Sequence, residues 1–90
     1  MRSDGKRPDV AAASRLASTV RLRRRQLRLS QAELASLAGV GLAFLYDLER
    51  GKPTLRLDKV LSVLDVLGLE LHVREGKALL TVATTLAEGH

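Results

Sequence analysis

Residues 29–53 have the sequence LSQAELASLAGVGLAFLYDLERGKP, and this stretch decides the fold. Ser30 and Glu33 have the spacing of a capping box. In that motif the serine hydroxyl accepts a hydrogen bond from the backbone N–H of the third helical residue, which is a glutamate. The carboxylate of that glutamate accepts one in return from the backbone N–H of the serine. A short helix is therefore predicted from Gln31 to about Ala38.

A turn and a second short helix follow. Gly39-Val40-Gly41 is the turn, because glycine permits a positive φ. The second helix is expected over residues 42 to 49 or 50, ended by Gly51 with Pro53 beyond it. Ala35 is small where the two helices would cross. Such a pair is a helix-turn-helix, whose second helix presents its N-terminal residues to the DNA major groove.

The sequence before this unit predicts a longer helix over about residues 11–28, which neither glycine nor proline interrupts. Leu16, Val20 and Leu27 fall on one face of it. Arg24 lies four residues after Val20 and three before Leu27, so it is expected to point inward with them. An inward guanidinium needs a carboxylate partner.

A fourth helix is predicted from Thr54, as N-cap, to about Leu67, with Gly68 at its C-cap. Val63 and Val66 widen its apolar arc to about 220°, roughly twice what one core needs. The helix is therefore either central in the fold or in contact with a second subunit. Its ordinary core stripe is Leu57, Val60, Leu61, Leu64 and Leu67.

After the fourth helix the hydrophobic period changes to two, which predicts a strand over residues 69–74 with one apolar face. The backbone groups of a lone strand need a partner. The ambiguous segment 77–86 could supply it, and so could the same strand of a second chain related by a two-fold axis. The predicted dimerisation residues are Val63, Val66, Leu69, Leu71 and Val73.

These elements predict a mainly α fold of four to five helices with a short C-terminal strand, single or in a hairpin, that pairs in a dimer. The predicted organisation is a flexible arm over residues 1–10, a helix-turn-helix domain over residues 11–68, and a dimerisation strand and tail over residues 69–90.

Composition argues against several function classes. The 90 residues form one domain, contain no cysteine, and include His72 and His90 far apart. No nucleophile, base and acid group together, so we predict no enzymatic activity, no metal and no cofactor. There is no run of about 18 apolar residues, and the N-terminus lacks the apolar segment of a signal peptide. No membrane association and a cytoplasmic location are therefore expected.

The charge distribution points to a polyanionic partner. The net charge is +5, and no acidic residue occurs between Asp9 and Glu33. A segment of one sign on a small domain suggests nucleic acid, although a solvated basic helix face is the alternative. Three of its arginines follow the spacing i, i+4, i+7 and form an outward stripe, Arg21, Arg25 and Arg28. The six arginines of the segment are Arg15, Arg21, Arg23, Arg24, Arg25 and Arg28.

The chain resembles a known family over about residues 12–73. Residues 29–35, 38–40 and 48–53 are similar to the signature of the phage-repressor (XRE-type) helix-turn-helix domains, which implies a lambda-repressor-like fold. More narrowly, the sequence resembles the HipB-like antitoxins in residues 51–54, 57–61 and 67–69.

The resemblance implies partners and residue roles. In HipB-like antitoxins a strand after the fourth helix pairs with its counterpart in a dimer, and the partner toxin is a HipA-type serine/threonine kinase. The resemblance also implies a largely buried pair between Arg24 and Glu49, and a contact from Gln31 to the DNA backbone. The hydrophobic periodicity, taken separately, also places Arg24 inside.

The second helix of the unit departs from the family pattern because Gly41, Leu42 and Ala43 stand where polar side chains are usual. Leu42 or Ala43 could touch a thymine methyl, and Tyr46 could reach a base edge or a phosphate. Specificity would then depend on DNA shape, or on Arg2, Lys6 and Arg7 of the arm in the minor groove. The predicted DNA-binding residues are Arg28, Ser30, Gln31, Gly41, Leu42, Ala43, Tyr46, Arg50 and Lys52.

The predicted function is that of a homodimeric, sequence-specific repressor that binds an inverted-repeat operator in its own promoter. It would be the antitoxin of a HipBA-like operon and would help to neutralise a kinase toxin. Two alternatives remain open: a stand-alone phage-like regulator, which the neighbouring gene would distinguish, and a protein-interaction adaptor with weakened DNA reading, which the apolar start of the second helix favours.

Overall fold

The computed structural model describes residues 10–73 and residue 75. These residues form four helices, α1 (Val10–Gln26), α2 (Gln31–Ala38), α3 (Leu42–Glu49) and α4 (Leu57–Val66). Within this part of the chain no helix is long and apolar enough to cross a membrane. The predicted arm, apart from Val10, and the predicted second strand over 77–86 lie outside the described residues.

The four helices end in the same type of turn, in which one residue takes a left-handed φ and backbone N–H groups bond back to the last carbonyls. Gly39, Gly51 and Gly68 hold this position after α2, α3 and α4, with φ of 70°, 83° and 72°. After α1 the position is held by Arg28, with φ 61°. A side chain at such a position costs roughly 1–2 kcal/mol relative to a right-handed backbone.

The prediction for the end of α1 is wrong by about two residues. The helix ends at Gln26, and the N–H of Leu29 donates to the carbonyl of Arg24 at 3.1 Å. Leu27 was expected on the buried face, but it lies beyond the helix and is 39% exposed. The reversal of the chain at Arg28 is the reason, because helical periodicity no longer sets the direction of side chains there.

The predicted capping box opens α2. The Oγ atom of Ser30 accepts from the N–H of Glu33 at 3.0 Å, and the Glu33 carboxylate accepts from the N–H of Ser30 at 2.8 Å. Hydrogen bonding of the Glu33 carboxylate to Ser30, most by the backbone N–H and next by the side chain, lowers the pKa of Glu33. Ala35 is buried, and α2 packs against both α3 and α4, while α1 packs against α3.

The prediction that Thr54 caps α4 is wrong. The helix begins at Leu57, with Arg56 at the N-cap and no capping bond from its side chain. Leu55 packs half-buried against the core, and the backbone is still extended at Arg56, so the helix begins only after it. Asp58 in the first turn accepts from the N–H of Lys59 at 2.9 Å.

The two apolar flanks of α4 differ from the prediction. The core stripe is Val60, Val63, Leu64 and Leu67, which follow i, i+3, i+4, i+7. Val63 is 0% exposed within its own chain, so it is not available to a second subunit. The outer flank is formed instead by Leu57 and Leu61, which were expected in the core and are 59% and 42% exposed.

Residues 69–73 carry no strand pairing within the described chain. Leu69 packs half-buried against the core, whereas Leu71 is 42% and Val73 95% exposed. The N–H of Leu69 donates to the carbonyl of Leu64 at 2.8 Å, which closes the turn after α4. The buried side chains of the core are Ala17, Val20, Leu34, Ala35, Leu45, Leu48, Val60, Val63, Leu64 and Leu67.

Candidate nucleic-acid interface

One side of α3 faces solvent, and we call it the exposed arc. At 100° per residue its members span about 140° of the helix. Tyr46 is 44% and Leu42 38% exposed, and Asp47 is partly exposed. Leu45 and Leu48 lie buried on the opposite side. The members of the exposed arc are Leu42, Ala43, Tyr46, Asp47 and Arg50.

The opposite side of α3 ends in a buried carboxylate. Glu49 is 4% exposed, and its two oxygens accept from Arg24, Oε2 from Nε at 2.7 Å and Oε1 from Nη2 at 3.0 Å. The remaining nitrogen of the guanidinium, Nη1, donates to the carbonyl of Leu29 at 2.9 Å. The predicted pair between α1 and α3 is therefore present, with bidentate geometry and little contact with water.

Gln31 also belongs to this group, which sequence reasoning did not anticipate. Its Nε2 donates to Glu49 Oε1 at 3.0 Å and links the start of α2 to the end of α3. An amide nitrogen has two hydrogens, so one N–H remains for another acceptor. We call Glu49, Arg24, Gln31 and the carbonyl of Leu29 the Glu49 cluster.

Two more arginines of α1 bond to helix ends. Arg21 Nη1 donates to the carbonyl of Glu49 at the end of α3, and Arg23 Nε donates to the carbonyl of Leu67 after α4 at 2.8 Å. Cations at helix C-termini are favourable because the last carbonyls carry partial negative charge. Half of the arginines in the acid-free segment therefore hold the domain together, so that segment is weaker evidence for a polyanion than its charge suggests.

The acceptors explain why the sequence did not show these contacts. A main-chain carbonyl at a helix end has no sequence signature, and it is available to any long cation that packing brings near. Only the burial of Arg24 had a signal, through its spacing from Val20, and Glu49 offered the matching side chain.

Two cations surround Asp47 at the C-terminal end of the exposed arc. Asp47 Oδ1 lies 2.5 Å from Arg50 Nη2, and Oδ2 lies 3.5 Å from Lys52 Nζ. The hydrogen bond from Arg50 is the main reason that the pKa of Asp47 is lowered, so the carboxylate is ionised at neutral pH.

The predicted DNA-binding residues are found in two places. Arg28 and Ser30 lie between α1 and α2, and Gln31 is the first residue of α2. The Ser30 hydroxyl is used by the capping box, and Arg28 is exposed. The others lie on or beside α3. Gly41, its N-cap, provides no side-chain capping bond, and the space around its Cα is open. No group of acidic and histidine residues able to hold a metal occurs in the described part of the chain.

Comparison with known proteins identifies the family. A family model described as helix-turn-helix, HTH_3, matches residues 20–73, which include the exposed arc and the Glu49 cluster. The chain belongs to the XRE-type helix-turn-helix family of DNA-binding regulators. This confirms the predicted family, while membership of the HipB-like subgroup stays a prediction.

One curated relative and one solved structure are similar to this chain. The uncharacterized HTH-type transcriptional regulator y4mF of Sinorhizobium fredii is 48% identical over 58 residues, which are 64% of this chain and 76% of the relative. A solved structure described as "MDT Protein" is 26% identical, superimposes with a TM-score of 0.65, and aligns over 72% of this chain and 92% of its own.

Proposed function

We propose that this helix-turn-helix protein is a homodimeric repressor that binds an inverted repeat in its own promoter. The observation that carries the proposal is the geometry of α3, whose arc stays open to solvent while the Glu49 cluster fixes its other side to α1 and α2. A recognition helix must be held rigidly with one side free for the groove. The regulator named among its relatives supports the same role.

The proposed contacts divide into two classes. Gln31, Arg28 and the cations after α3 would contact phosphates, which position the protein without reading sequence. Leu42, Ala43 and Tyr46 would face the bases, through thymine methyl contacts and one phenol hydroxyl. Gly41 would allow close approach of the backbone. Ser30 contributes indirectly, because its hydroxyl holds the start of α2 in place.

The proposed dimer uses residues 69–73. Leu71 and Val73 are apolar and exposed, and Leu69 and Val66 are half-buried against the core. Pairing with the same segment of a second chain would satisfy their backbone groups and cover these side chains. We expect Leu71→Asp to give monomers and to lose operator binding. Light scattering at micromolar concentration is the measurement, and a mass near one chain for the unmodified protein would contradict the dimer.

The narrower proposal is an antitoxin of the HipB-like type that helps to neutralise a HipA-type kinase. It is supported by the sequence resemblance around residues 51–69. Co-expression with the product of the adjacent gene, followed by native mass spectrometry, tests it. A defined complex with a kinase-like protein supports the antitoxin. An adjacent gene of another kind favours a stand-alone regulator.

A mobility-shift titration with promoter DNA tests the central proposal. A dimer that neutralises roughly 6–10 phosphates should lose about 10³- to 10⁵-fold in affinity between ~50 and ~200 mM salt. The half-sites should lie about one helical turn, ~34 Å, apart. Absence of a complex at ~50 mM salt would exclude the repressor and favour the alternative of a protein-interaction adaptor.

A further inference from the structure

Three charged side chains at the end of α3, Asp47, Arg50 and Lys52, pair with one another. Asp47 is the acidic member of the exposed arc, and its carboxylate lies between Arg50 and Lys52. Arg50 and Lys52 are 73% and 49% exposed, whereas Asp47 is 28% exposed. The backbone N–H of Lys52 also donates to the carbonyl of Asp47 at 3.0 Å, so the turn after α3 keeps the three side chains together.

The same two cations are proposed phosphate contacts, which gives Asp47 a second role. Guanidinium and ammonium groups bind carboxylate and phosphate oxygens with the same donors, so the two acceptors compete. With Asp47 ionised, Arg50 must exchange a carboxylate oxygen at 2.5 Å for a phosphate oxygen when DNA arrives.

We infer that Asp47 competes with DNA phosphates for Arg50 and Lys52, and that it thereby lowers the affinity of the protein for DNA of any sequence. The inference rests on the proposed DNA-binding function. Because phosphate contacts dominate affinity and carry no sequence information, Asp47 sets how strongly the protein binds rather than which site it prefers. It makes the complex weaker and more easily reversed than the surrounding cations alone would allow.

Asp47→Asn tests the inference, because it keeps the shape of the side chain and removes its charge. We expect it to bind a 20-base-pair duplex of random sequence about 3- to 10-fold more tightly at ~100 mM salt. The slope of log affinity against log salt should steepen by about 1 to 2, since each phosphate contact contributes ~0.9. Promoter DNA should show a similar gain.

The matched control is Asp58→Asn. Asp58 also pairs with an arginine, Arg56, at 2.7 Å, but it lies at the start of α4 and outside the exposed arc. Asp58→Asn changes the net charge by the same amount as Asp47→Asn. It should alter the affinity for DNA by less than about 2-fold, because salt screens distant charges. Equal effects of the two substitutions would overturn the inference.

A double-mutant cycle separates competition from general repulsion. In a background with Arg50→Ala and Lys52→Ala, Asp47→Asn should tighten binding by less than about 2-fold, because the cations it would release are absent. A full gain in that background would show simple repulsion and overturn the inference. A loss of promoter affinity in Asp47→Asn would also overturn it, since Asp47 would then contact a base. If the unmodified protein binds neither DNA at ~50 mM salt, the proposed function itself fails.

Discussion

The buried side and the exposed arc of α3 use polar groups in opposite ways. On the buried side, the carboxylate of Glu49 receives three side-chain hydrogen bonds, and the Arg24 guanidinium that supplies two of them also donates to a main-chain carbonyl. On the arc, the first three residues, Leu42, Ala43 and Tyr46, offer one hydroxyl for base recognition.

The difference shows that separate groups fix the orientation of α3 and determine its proposed affinity for DNA. Charged residues are used inside, where a satisfied bidentate pair permits one arrangement of α1, α2 and α3. The arc is nearly neutral, so the proposed affinity for DNA would come from cations such as Lys52 after α3 and Arg28 before α2. Orientation and affinity can therefore be changed separately by mutation, except at Gln31, which bonds to Glu49 and is also a proposed phosphate contact.

The largest effect is expected from Arg24→Ala. Removing this guanidinium strands a carboxylate that is 4% exposed, which costs about 3–5 kcal/mol of unfolding free energy. Arg21→Ala should cost less, about 1–2 kcal/mol, because its acceptor is a neutral carbonyl. Arg25→Ala, an exposed neighbour on the same helix, should stay within about 0.5 kcal/mol. Chemical denaturation of the three variants is the measurement; equal small shifts would show that the pair adds nothing.

The next effect concerns the exposed arc. Tyr46→Ala should reduce the preference for promoter over random DNA by about 1–3 kcal/mol if the phenol reads a base edge. Tyr46→Phe tests the hydroxyl alone. Gln31→Ala should instead weaken both complexes alike, and it should also lower stability because Glu49 loses a hydrogen bond. An unchanged preference in Tyr46→Ala would place specificity elsewhere, with the N-terminal arm as the next candidate.

The start of α2 should show a smaller, pH-dependent effect. Ser30→Ala removes the hydroxyl that caps the helix and should cost about 1 kcal/mol of unfolding free energy. Because the capping box lowers the pKa of Glu33, its stabilisation is present above the ordinary glutamate pKa and is lost as pH falls through the lowered value. NMR titration of Glu33 should show its pKa rise in Ser30→Ala, since one of the two bonds that lower it is lost. An unchanged pKa would mean that the hydroxyl plays no part.

The smallest effect is expected at Arg28. Arg28→Gly should raise the unfolding free energy by up to about 1 kcal/mol, because glycine adopts the φ of 61° without strain. The gain is limited because glycine loses more chain entropy on folding. Arg28→Ala should bring no such gain in unfolding free energy, because alanine is strained at this φ as arginine is. Both variants should weaken DNA binding equally if Arg28 contacts a phosphate. Unchanged binding in both would remove Arg28 from the interface.

The local patterns of the sequence determined most of the fold. The capping box, the glycines after α2, α3 and α4, and the apolar periodicity predicted the helix-turn-helix and four helices, because these signals act between residues a few positions apart. They also predicted that Arg24 points inward. The predictions failed where distant contacts decide: Leu55 packs against the core before α4 begins, and packing selects Val63 rather than Leu61.

Only the tertiary structure decided how the charges are used. The sequence shows six arginines between Asp9 and Glu33, and nothing local separates those that bind helix ends from those that face solvent. Arg21 and Arg23 are internal because α3 and α4 end beside them, and Gln31 reaches Glu49 because α2 and α3 cross. Their partners lie 18 to 44 residues away, two of them main-chain carbonyls. Such contacts leave no periodicity or spacing in the chain, so they exist only once the helices have packed.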